Sequence, residues 1–291
     1  MTTEAVERES EQREVGRLLV IGGAEDRGDR DTWRILPRLV DMAGGDEARI
    51  LVCGSSSKDP ERIERIYKEQ FESLGVKEVF ESEIENRAMA ESDELLDHLN
   101  HATAVFFTGG DQLRLTSLIA GTPFGERVRV RLWEERLVVA GTSAGAAAMS
   151  STMVVSGGKE GTVRRADVTL APGLGYWRDT TIDTHFSQRG RVNRMLAVYG
   201  QNPQVLAIGI DEDTAVEVIP GQRFTVIGRG AVLVFDGRVT YSSAPDVGEH
   251  EVMTLTDSTV HVLAEGYGLE LATKRPLHPD GTVIDRHPKQ P

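Results

Sequence analysis

A serine between small neighbours is the clearest candidate for chemistry in this sequence. Residues 141–145 match the pattern G-x-S-x-G, with the apolar run LVVAG before Ser143 and an alanine-rich stretch after it. A strand that turns directly into a helix strains the central residue and exposes its side chain at the carboxyl end of the sheet. We therefore interpret Ser143 as a candidate nucleophile. The alternative is a small-residue turn that serves only close packing of helix against sheet.

A serine nucleophile needs a base, and His185 is the candidate among seven histidines. It closes the alternating, strand-like run Asp179–Phe186, which would hold an imidazole on rigid structure. The other histidines fall at the end of a polar helix, in the C-terminal β region or in the tail. The sequence thus predicts His185 as the general base, and a structurally satisfied histidine is the alternative.

The base in turn needs an orienting carboxylate. Asp211, Glu212 and Asp213 lie in a tight turn between two apolar strands. Three acids in a turn are commonly just solvated charge. Spacing alone does not choose among them.

An oxyanion hole needs two N–H donors near the nucleophile. The amide of Ala144, directly after the candidate serine, is one. The glycine pair in Phe106–Gln112 could supply the other, since it also follows a predicted strand. A plain strand-to-helix turn explains that pair equally well, although ligands of α/β sheets gather at this edge.

A basic cluster follows the candidate histidine in an otherwise acidic chain. Arg189, Arg191 and Arg194 lie within Phe186–Met195. Because guanidinium groups bind carboxylates in a bidentate manner, the cluster indicates a substrate that carries carboxylates. A salt-bridged helix start is the alternative. The first glycine pair, in Gly22–Gly28, lacks the known phosphate-binding spacings, and we predict neither a metal nor an organic cofactor.

The elements around these residues alternate between buried strands and helices. We predict strands at Arg17–Gly23, Ala48–Gly54, Lys77–Ser82, Thr103–Gly110 and Leu137–Gly141, and helices at Thr32–Gly45, Asp59–Gly75, Asp93–Asn100, Asp111–Gly121 and Gly125–Glu135. Strands that are apolar on both faces predict an α/β fold with a mostly parallel central sheet and helices on both faces. From about Leu206 short strands follow one another, which predicts C-terminal antiparallel strands.

Composition limits the partners. The 291 residues include 46 Asp and Glu against 33 Lys and Arg, a net charge of −13, which argues against nucleic acid and anionic membranes. The one cysteine, Cys53, excludes an internal disulfide. With no secretory signal and no long apolar run, we expect a cytoplasmic protein. We predict a disordered acidic leader at 1–16, a single α/β hydrolytic domain at 17–270 and a loose C-terminal tail at 271–291.

Five motifs, in this order and at these intervals, resemble the cyanophycinases: VIGGAED, FFTGGDQLRL, AGTSAGAAAM, IDTHFSQRGR and LAIGIDEDTA. The resemblance covers roughly residues 17–240. It implies a serine exopeptidase related to aspartyl dipeptidases, with a glutamine-amidotransferase-like, flavodoxin-like fold, in a cytoplasmic homodimer. Such enzymes degrade cyanophycin, a polyaspartate with arginine on each β-carboxylate, to β-aspartyl-arginine.

The resemblance also implies roles for individual residues. Ser143 would be the nucleophile, His185 the base and Glu212 the acid that orients it. Gly110 and Ala144 would form the oxyanion hole. The implied substrate-pocket positions are Gln112, Asp183, Thr184, Arg189, Arg191 and Arg194.

One position departs from the family pattern. Where the family usually has Asp-Gln-His-Phe, this chain has Thr184 before His185, a short hydroxyl in place of a longer amide. The departure raises an alternative in the same chemistry, an aspartyl or isoaspartyl dipeptidase acting on small peptides. A non-catalytic protein that binds arginine- or aspartate-containing ligands is the alternative from another class.

Overall fold

Strands and helices alternate through the first half of the chain. The computed structural model describes residues 15–157 and 162–285. Residues 1–14 of the predicted leader and 286–291 of the predicted tail lie outside that range. The α-helices are α1 (Ile35–Met42), α2 (Pro60–Ser73), α3 (Asp93–His101), α4 (Gln112–Ile119), α5 (Pro123–Glu134), α6 (Ala144–Ala148) and α7 (Val192–Gln201). Across the described ranges no helix is both long and apolar enough to cross a membrane.

Most of the described strands lie in the second half of the chain. They are β1 (Leu18–Ile21), β2 (Arg49–Cys53), β3 (Glu78–Glu81), β4 (Ala104–Phe107), β5 (Val138–Thr142), β6 (Thr152–Gly157), β7 (Val168–Pro172), β8 (Thr180–Thr184), β9 (Leu206–Ile210), β10 (Thr214–Ile219), β11 (Arg223–Gly228), β12 (Val232–Phe235), β13 (Tyr241–Ser242), β14 (Leu255–Thr256), β15 (Val260–Leu263), β16 (Gly268–Glu270) and β17 (Arg275–Leu277).

The main sheet has nine strands in the order β17-β16-β11-β10-β1-β5-β4-β2-β3. Neighbouring strands in the part β1-β5-β4-β2-β3 pair in parallel. Neighbouring strands in the part β17-β16-β11-β10-β1 pair antiparallel. The predicted α/β fold, with a mostly parallel core and antiparallel C-terminal strands, is confirmed.

The parallel strands bury both of their faces. Alternate residues point to opposite sides of a strand, so Val105 and Phe107 of β4 enter one core while Phe106 enters the other. Helices α1 and α2 pack against the Phe106 side, and helices α3 to α6 pack against the other. Burial on both faces explains why these strands are continuous apolar runs in the sequence.

A second sheet, in the order β15-β12-β9-β8, carries the other half of the site. Its strands β8 and β9 are parallel, and all five residues of each are buried. The sequence alternates between polar and apolar residues around β8, but this strand has no face towards solvent. Even Asp183 in the middle of β8 is only 2% exposed.

Two segments differ from the sequence-based expectation. Helix α1 begins at Ile35 rather than Thr32, which places Pro37 in its first turn, where a missing N–H costs no helical hydrogen bond. Asp26 accepts the N–H groups of Arg34 and Leu36 at this start. Strand β17 lies within the predicted tail and pairs with β16 at the edge of the main sheet.

Candidate active site

Four loops meet at the carboxyl edge of the main sheet. They follow the neighbouring strands β1, β5, β4 and β2 and contain Gly22-Gly23, Ser143, Gly109-Gly110 and Ser56 respectively. Because parallel strands end at the same edge, loops far apart in sequence become neighbours there. The candidate nucleophile thus lies between two glycine pairs.

Ser143 has a strained backbone. Its φ of 51° and ψ of −112° place a non-glycine residue in a sparsely populated region, directly between β5 and α6. The small neighbour Gly145 permits this turn, since a Cβ there would lie 2.3 Å from the carbonyl oxygen of Phe107. The geometry is that expected for a G-x-S-x-G turn, with the side chain projecting from the sheet edge.

Ser143, His185 and Glu212 form one hydrogen-bonded chain. The Oγ atom of Ser143 lies 2.8 Å from Nε2 of His185, and Nδ1 of His185 lies 2.7 Å from Oε1 of Glu212. The His185 side chain is 11% exposed and that of Glu212 is 36% exposed. A nucleophile, a base and an orienting carboxylate in this order can activate a hydroxyl for attack on a carbonyl.

The two acids beside Glu212 have other contacts. Asp211 accepts the backbone N–H groups of Ser187 and Ala231. Asp213 accepts the N–H of Asp26. Their carboxylates therefore hold neighbouring loops together, whereas that of Glu212 faces the imidazole.

The first glycine pair holds the histidine, a role that the sequence did not suggest. The carbonyl of Gly22 accepts the N–H of His185 at 2.9 Å, and that of Gly23 accepts the N–H of Asp213 at 2.9 Å. A Cβ on Gly23 would lie 2.4 Å from Cε1 of the imidazole. The segment after β1 thus joins the main sheet to the loops that carry the base and the acid.

Two N–H groups remain available beside the nucleophile. Within the described ranges, neither the amide of Ala144 nor that of Gly110 donates a hydrogen bond. A Cβ built on Gly109 would lie 3.4 Å from Cβ of Ser143, so the second glycine pair abuts the serine. Such an arrangement suits an anionic oxygen that develops on a substrate carbonyl.

Two of the three clustered arginines bond to a buried acid. Nη1 of Arg191 lies 2.8 Å from Oδ1 of Asp183, and Nε of Arg194 lies 2.6 Å from Oδ2. Burial, together with the Arg194 charge, lowers the pKa of Arg191 from its ordinary value. Both arginines thus form ion pairs at the beginning of α7, as expected for a salt-bridged helix start.

The remaining predicted pocket residues each make different contacts. Arg189 is exposed, and it has no ion-pair partner among the residues that the structure describes. Thr184 is 4% exposed, and its carbonyl accepts the Arg191 guanidinium. The side-chain amide of Gln112 donates to the carbonyl of Val154 at 2.8 Å. Among the described residues, no group of three or more His, Cys, Asp or Glu side chains could hold a metal ion.

Comparison with known proteins places this site in a family. Residues 18–227 match peptidase family S51. The chain belongs to this family. A cyanophycinase from Synechococcus elongatus is 37% identical over 266 residues, covering 90% of this chain and 81% of that protein. One from Geminocystis herdmanii is 36% identical over 261 residues, covering 89% and 95%.

A solved structure shares the fold of this S51 peptidase. A peptidase from an acI-B1 actinobacterium superposes with a TM-score of 0.62 at 19% identity, covering 88% of this chain and 97% of that one. Membership of the family makes the protein a serine peptidase, a hydrolase.

The peptidase contains a further carboxylate beside its candidate nucleophile that the sequence did not reveal. Glu25 accepts the Tyr67 hydroxyl at 2.6 Å and the Thr142 hydroxyl at 2.6 Å. Burial and the Glu25 charge raise the pKa of Tyr67 well above its ordinary value, so its hydroxyl stays a donor. Glu25 thus ties the end of β5, next to Ser143, to helix α2. The sequence signal that could have pointed to Glu25 is its position two residues after a glycine pair at the end of a strand.

Proposed function

We propose that this peptidase is an exopeptidase that releases β-aspartyl-arginine from cyanophycin through an acyl-enzyme on Ser143. The observation that carries the proposal is the hydrogen-bonded chain Ser143–His185–Glu212 beside two unpaired amides. Similarity to proteins named cyanophycinase, at 36–37% identity over about nine-tenths of the chain, supports the choice of substrate.

Acylation uses the short distances at the sheet edge. Oγ of Ser143 attacks an aspartyl carbonyl of the polymer backbone while Nε2 of His185 takes its proton across the 2.8 Å contact. Glu212 accepts a hydrogen bond from Nδ1–H of His185, which holds the imidazole in the useful tautomer and stabilises the imidazolium that forms. The amides of Gly110 and Ala144 bind the developing oxyanion.

Deacylation repeats these steps with water. His185 first protonates the leaving amine, and then removes a proton from a water molecule that attacks the ester on Ser143. The carbonyl oxygen again becomes an oxyanion beside the amides of Gly110 and Ala144. The new carboxylate, formed from the aspartyl carbonyl that Ser143 attacked, carries one oxygen from solvent.

The substrate contacts follow from the pairing of the arginines. Arg189 is exposed next to His185, so it is suited to bind an aspartyl carboxylate of the substrate. Asp183, Arg191 and Arg194 contact one another, and we assign them to the pocket wall, with Thr184 and Gln112 beside them. An Arg189→Ala variant should raise KM more than it lowers kcat.

The decisive experiment uses cyanophycin granules in water enriched in ¹⁸O. The parent and Ser143→Ala proteins are incubated in parallel, and soluble products are identified by mass over time. We expect the parent to release β-aspartyl-arginine from the earliest time points, with one ¹⁸O in the carboxylate formed at each cleaved bond, and we expect no product from the variant. Circular dichroism checks that the variant is folded.

Three results would contradict the proposal. Oligomers of mixed length at early times would indicate endopeptidase activity. Turnover by Ser143→Ala would exclude this nucleophile. Turnover of free aspartyl dipeptides without any release from the polymer would instead favour a small-peptide dipeptidase.

We also propose a cytoplasmic homodimer, in line with the family resemblance. Light scattering on the purified protein should give twice the mass of one chain, and a monomer mass would contradict this.

A further inference from the structure

Ser56 lies in the loop after β2, next to the glycine pair that faces the nucleophile. It is 1% exposed, although it belongs to the polar run Ser55–Ser57 at the end of a strand. A buried hydroxyl needs partners, because an unpaired one costs stability. Its partners all belong to the loop that contains Gly109 and Gly110.

Ser56 holds that loop through two of its own groups. Its Oγ lies 2.7 Å from the carbonyl oxygen of Gly109 and 2.8 Å from that of Thr108. Its backbone carbonyl accepts the N–H of Asp111 at 2.9 Å. One residue thus anchors the chain on both sides of Gly110.

The bond to Gly109 sets the direction of the neighbouring N–H. The carbonyl of Gly109 and the N–H of Gly110 belong to one planar peptide unit, which is trans, and in such a unit they point in opposite directions. A hydroxyl that holds the carbonyl oxygen of Gly109 on the Ser56 side therefore directs the N–H of Gly110 away from Ser56. Gly109 abuts Ser143, since a Cβ built on this glycine would lie 3.4 Å from Cβ of Ser143.

A glycine pair needs such an anchor more than other sequences do. Two adjacent glycines permit many orientations of the peptide between them, so local sterics do not hold it. Gly110 has a φ of 151°, and a Cβ there would lie 2.2 Å from the carbonyl oxygen of Ser56. The close approach to Ser56 thus requires glycine at position 110. The same glycine leaves the peptide before it free of steric restraint.

We propose that Ser56 is a positioning residue for the oxyanion hole: its hydroxyl orients the Gly109–Gly110 peptide so that the Gly110 N–H meets the oxyanion. The inference rests on the proposed function, in which Gly110 is one of the two donors. Ser56 itself touches no reacting atom.

The test compares Ser56→Ala with the neighbouring Ser55→Ala. Ser55 is equally buried, but its hydroxyl contacts the thiol of Cys53 instead of the glycine loop. We expect Ser56→Ala to lower kcat on cyanophycin about 10-fold, which is less than the 10²–10³-fold typical for loss of a whole donor, with little change in KM. Ser55→Ala should stay within about 2-fold of the parent.

A second readout does not depend on cyanophycin. A fluorophosphonate probe labels an activated serine and places its phosphoryl oxygen in the oxyanion hole. The labelling rate of Ser143 should fall in Ser56→Ala by a factor similar to the fall in kcat. A binding measurement complements it: the Ser143→Ala protein and the double variant Ser143→Ala, Ser56→Ala should bind β-aspartyl-arginine with equal affinity. Ser56→Cys fills the same space with a weak donor, so it carries the test if the alanine variant does not fold.

The outcomes separate the two proposals. If the parent labels at Ser143 but releases nothing from cyanophycin, the substrate proposal fails and the labelling rates still test Ser56. Equal labelling of the Ser56→Ala and Ser55→Ala proteins overturns the positioning role. A change in KM alone would overturn it too.

Discussion

Nε of Arg194 lies 2.6 Å from Oδ2 of Asp183, and the two residues are 7% and 2% exposed. This pair joins β8 to α7, and Asp183 lies two residues before the candidate base in the chain. A buried carboxylate is tolerated when cations and N–H groups surround it, and Asp183 also accepts the Arg191 guanidinium and the N–H of Thr184. The contact between β8 and the start of α7 is thus held by charges that depend on one another.

Removal of the central acid should destabilise the protein strongly. Asp183→Asn leaves two arginines without their counter-charge, and we expect a loss of about 3–5 kcal/mol in the free energy of unfolding. Arg194→Ala should cost less, because Arg191 still pairs with Asp183. Urea denaturation measures both, with exposed Arg189→Ala as a control expected to change stability by less than ~0.5 kcal/mol. Equal losses for all three variants would contradict this view.

The acid next to the imidazole should control activity rather than folding. Glu212→Gln keeps the shape but not the charge, and we expect kcat to fall about 10³–10⁴-fold, as for other triads whose acid becomes an amide. Asp213→Asn is the matched control, since it keeps an oxygen that can accept the Asp26 N–H. Its kcat should stay within about 10-fold. Similar losses in both variants would argue against a special role for Glu212.

Gly23 should tolerate no side chain because the imidazole occupies the space. Gly23→Ala would place Cβ 2.4 Å from His185, and we expect a loss of kcat of about 100-fold or more. Gly28 is a control with almost the same φ, 106° against 102°, but no atom within 4 Å of its Cβ position. Gly28→Ala carries the same backbone strain and should keep its activity. Steady-state kinetics and melting temperatures separate the two effects.

Asp236 should make stability depend on acid pH. Burial raises its pKa, but hydrogen bonds from His261 and Arg238 outweigh this and lower the pKa from 3.8 to about 2. A carboxylate with a depressed pKa stabilises the fold above its unfolded value, and this contribution is lost as pH falls through about 4 towards 2. Since Arg238 is partly exposed and screened by solvent, we expect a loss on the order of 1–2 kcal/mol.

Asp236→Asn should lack this dependence. The difference in unfolding free energy between the parent and the variant should therefore shrink as the pH is lowered from 5 to 2.5 in urea titrations. A constant difference over this range would show that the pKa of Asp236 is not depressed in the folded protein.

Much of the fold could be predicted because its signals are local. Apolar runs such as Val138–Thr142 are strands since burial on both faces requires them, and small residues around Ser143 permit the tight turn that follows. The boundaries of α1 were harder to predict, because Asp26, nine residues before Ile35, caps the helix from another loop.

The residue types of the site could be predicted from the sequence, but the contacts between their side chains could not. The sequence pointed to Ser143, to His185 and to an acidic turn, and it left three acids open until the family resemblance indicated Glu212. The resemblance assigned Asp183 and the arginines jointly to substrate binding, and the hydrogen bonds of Asp183 to Arg191 and Arg194 became visible only in the structure. The sequence was silent on Gly23, Glu25 and Ser56.

The sequence by itself determined the order of the elements, the strained turn at Ser143 and the acidic, single-cysteine character of the chain, since these depend on covalent neighbours and composition. The tertiary structure decided which side chains meet. Ser143 and His185 are 42 residues apart and follow strands of different sheets, and His185 and Glu212 are 27 residues apart. Such contacts depend on how the two sheets are joined through Gly22 and Gly23, and no local pattern encodes that distance.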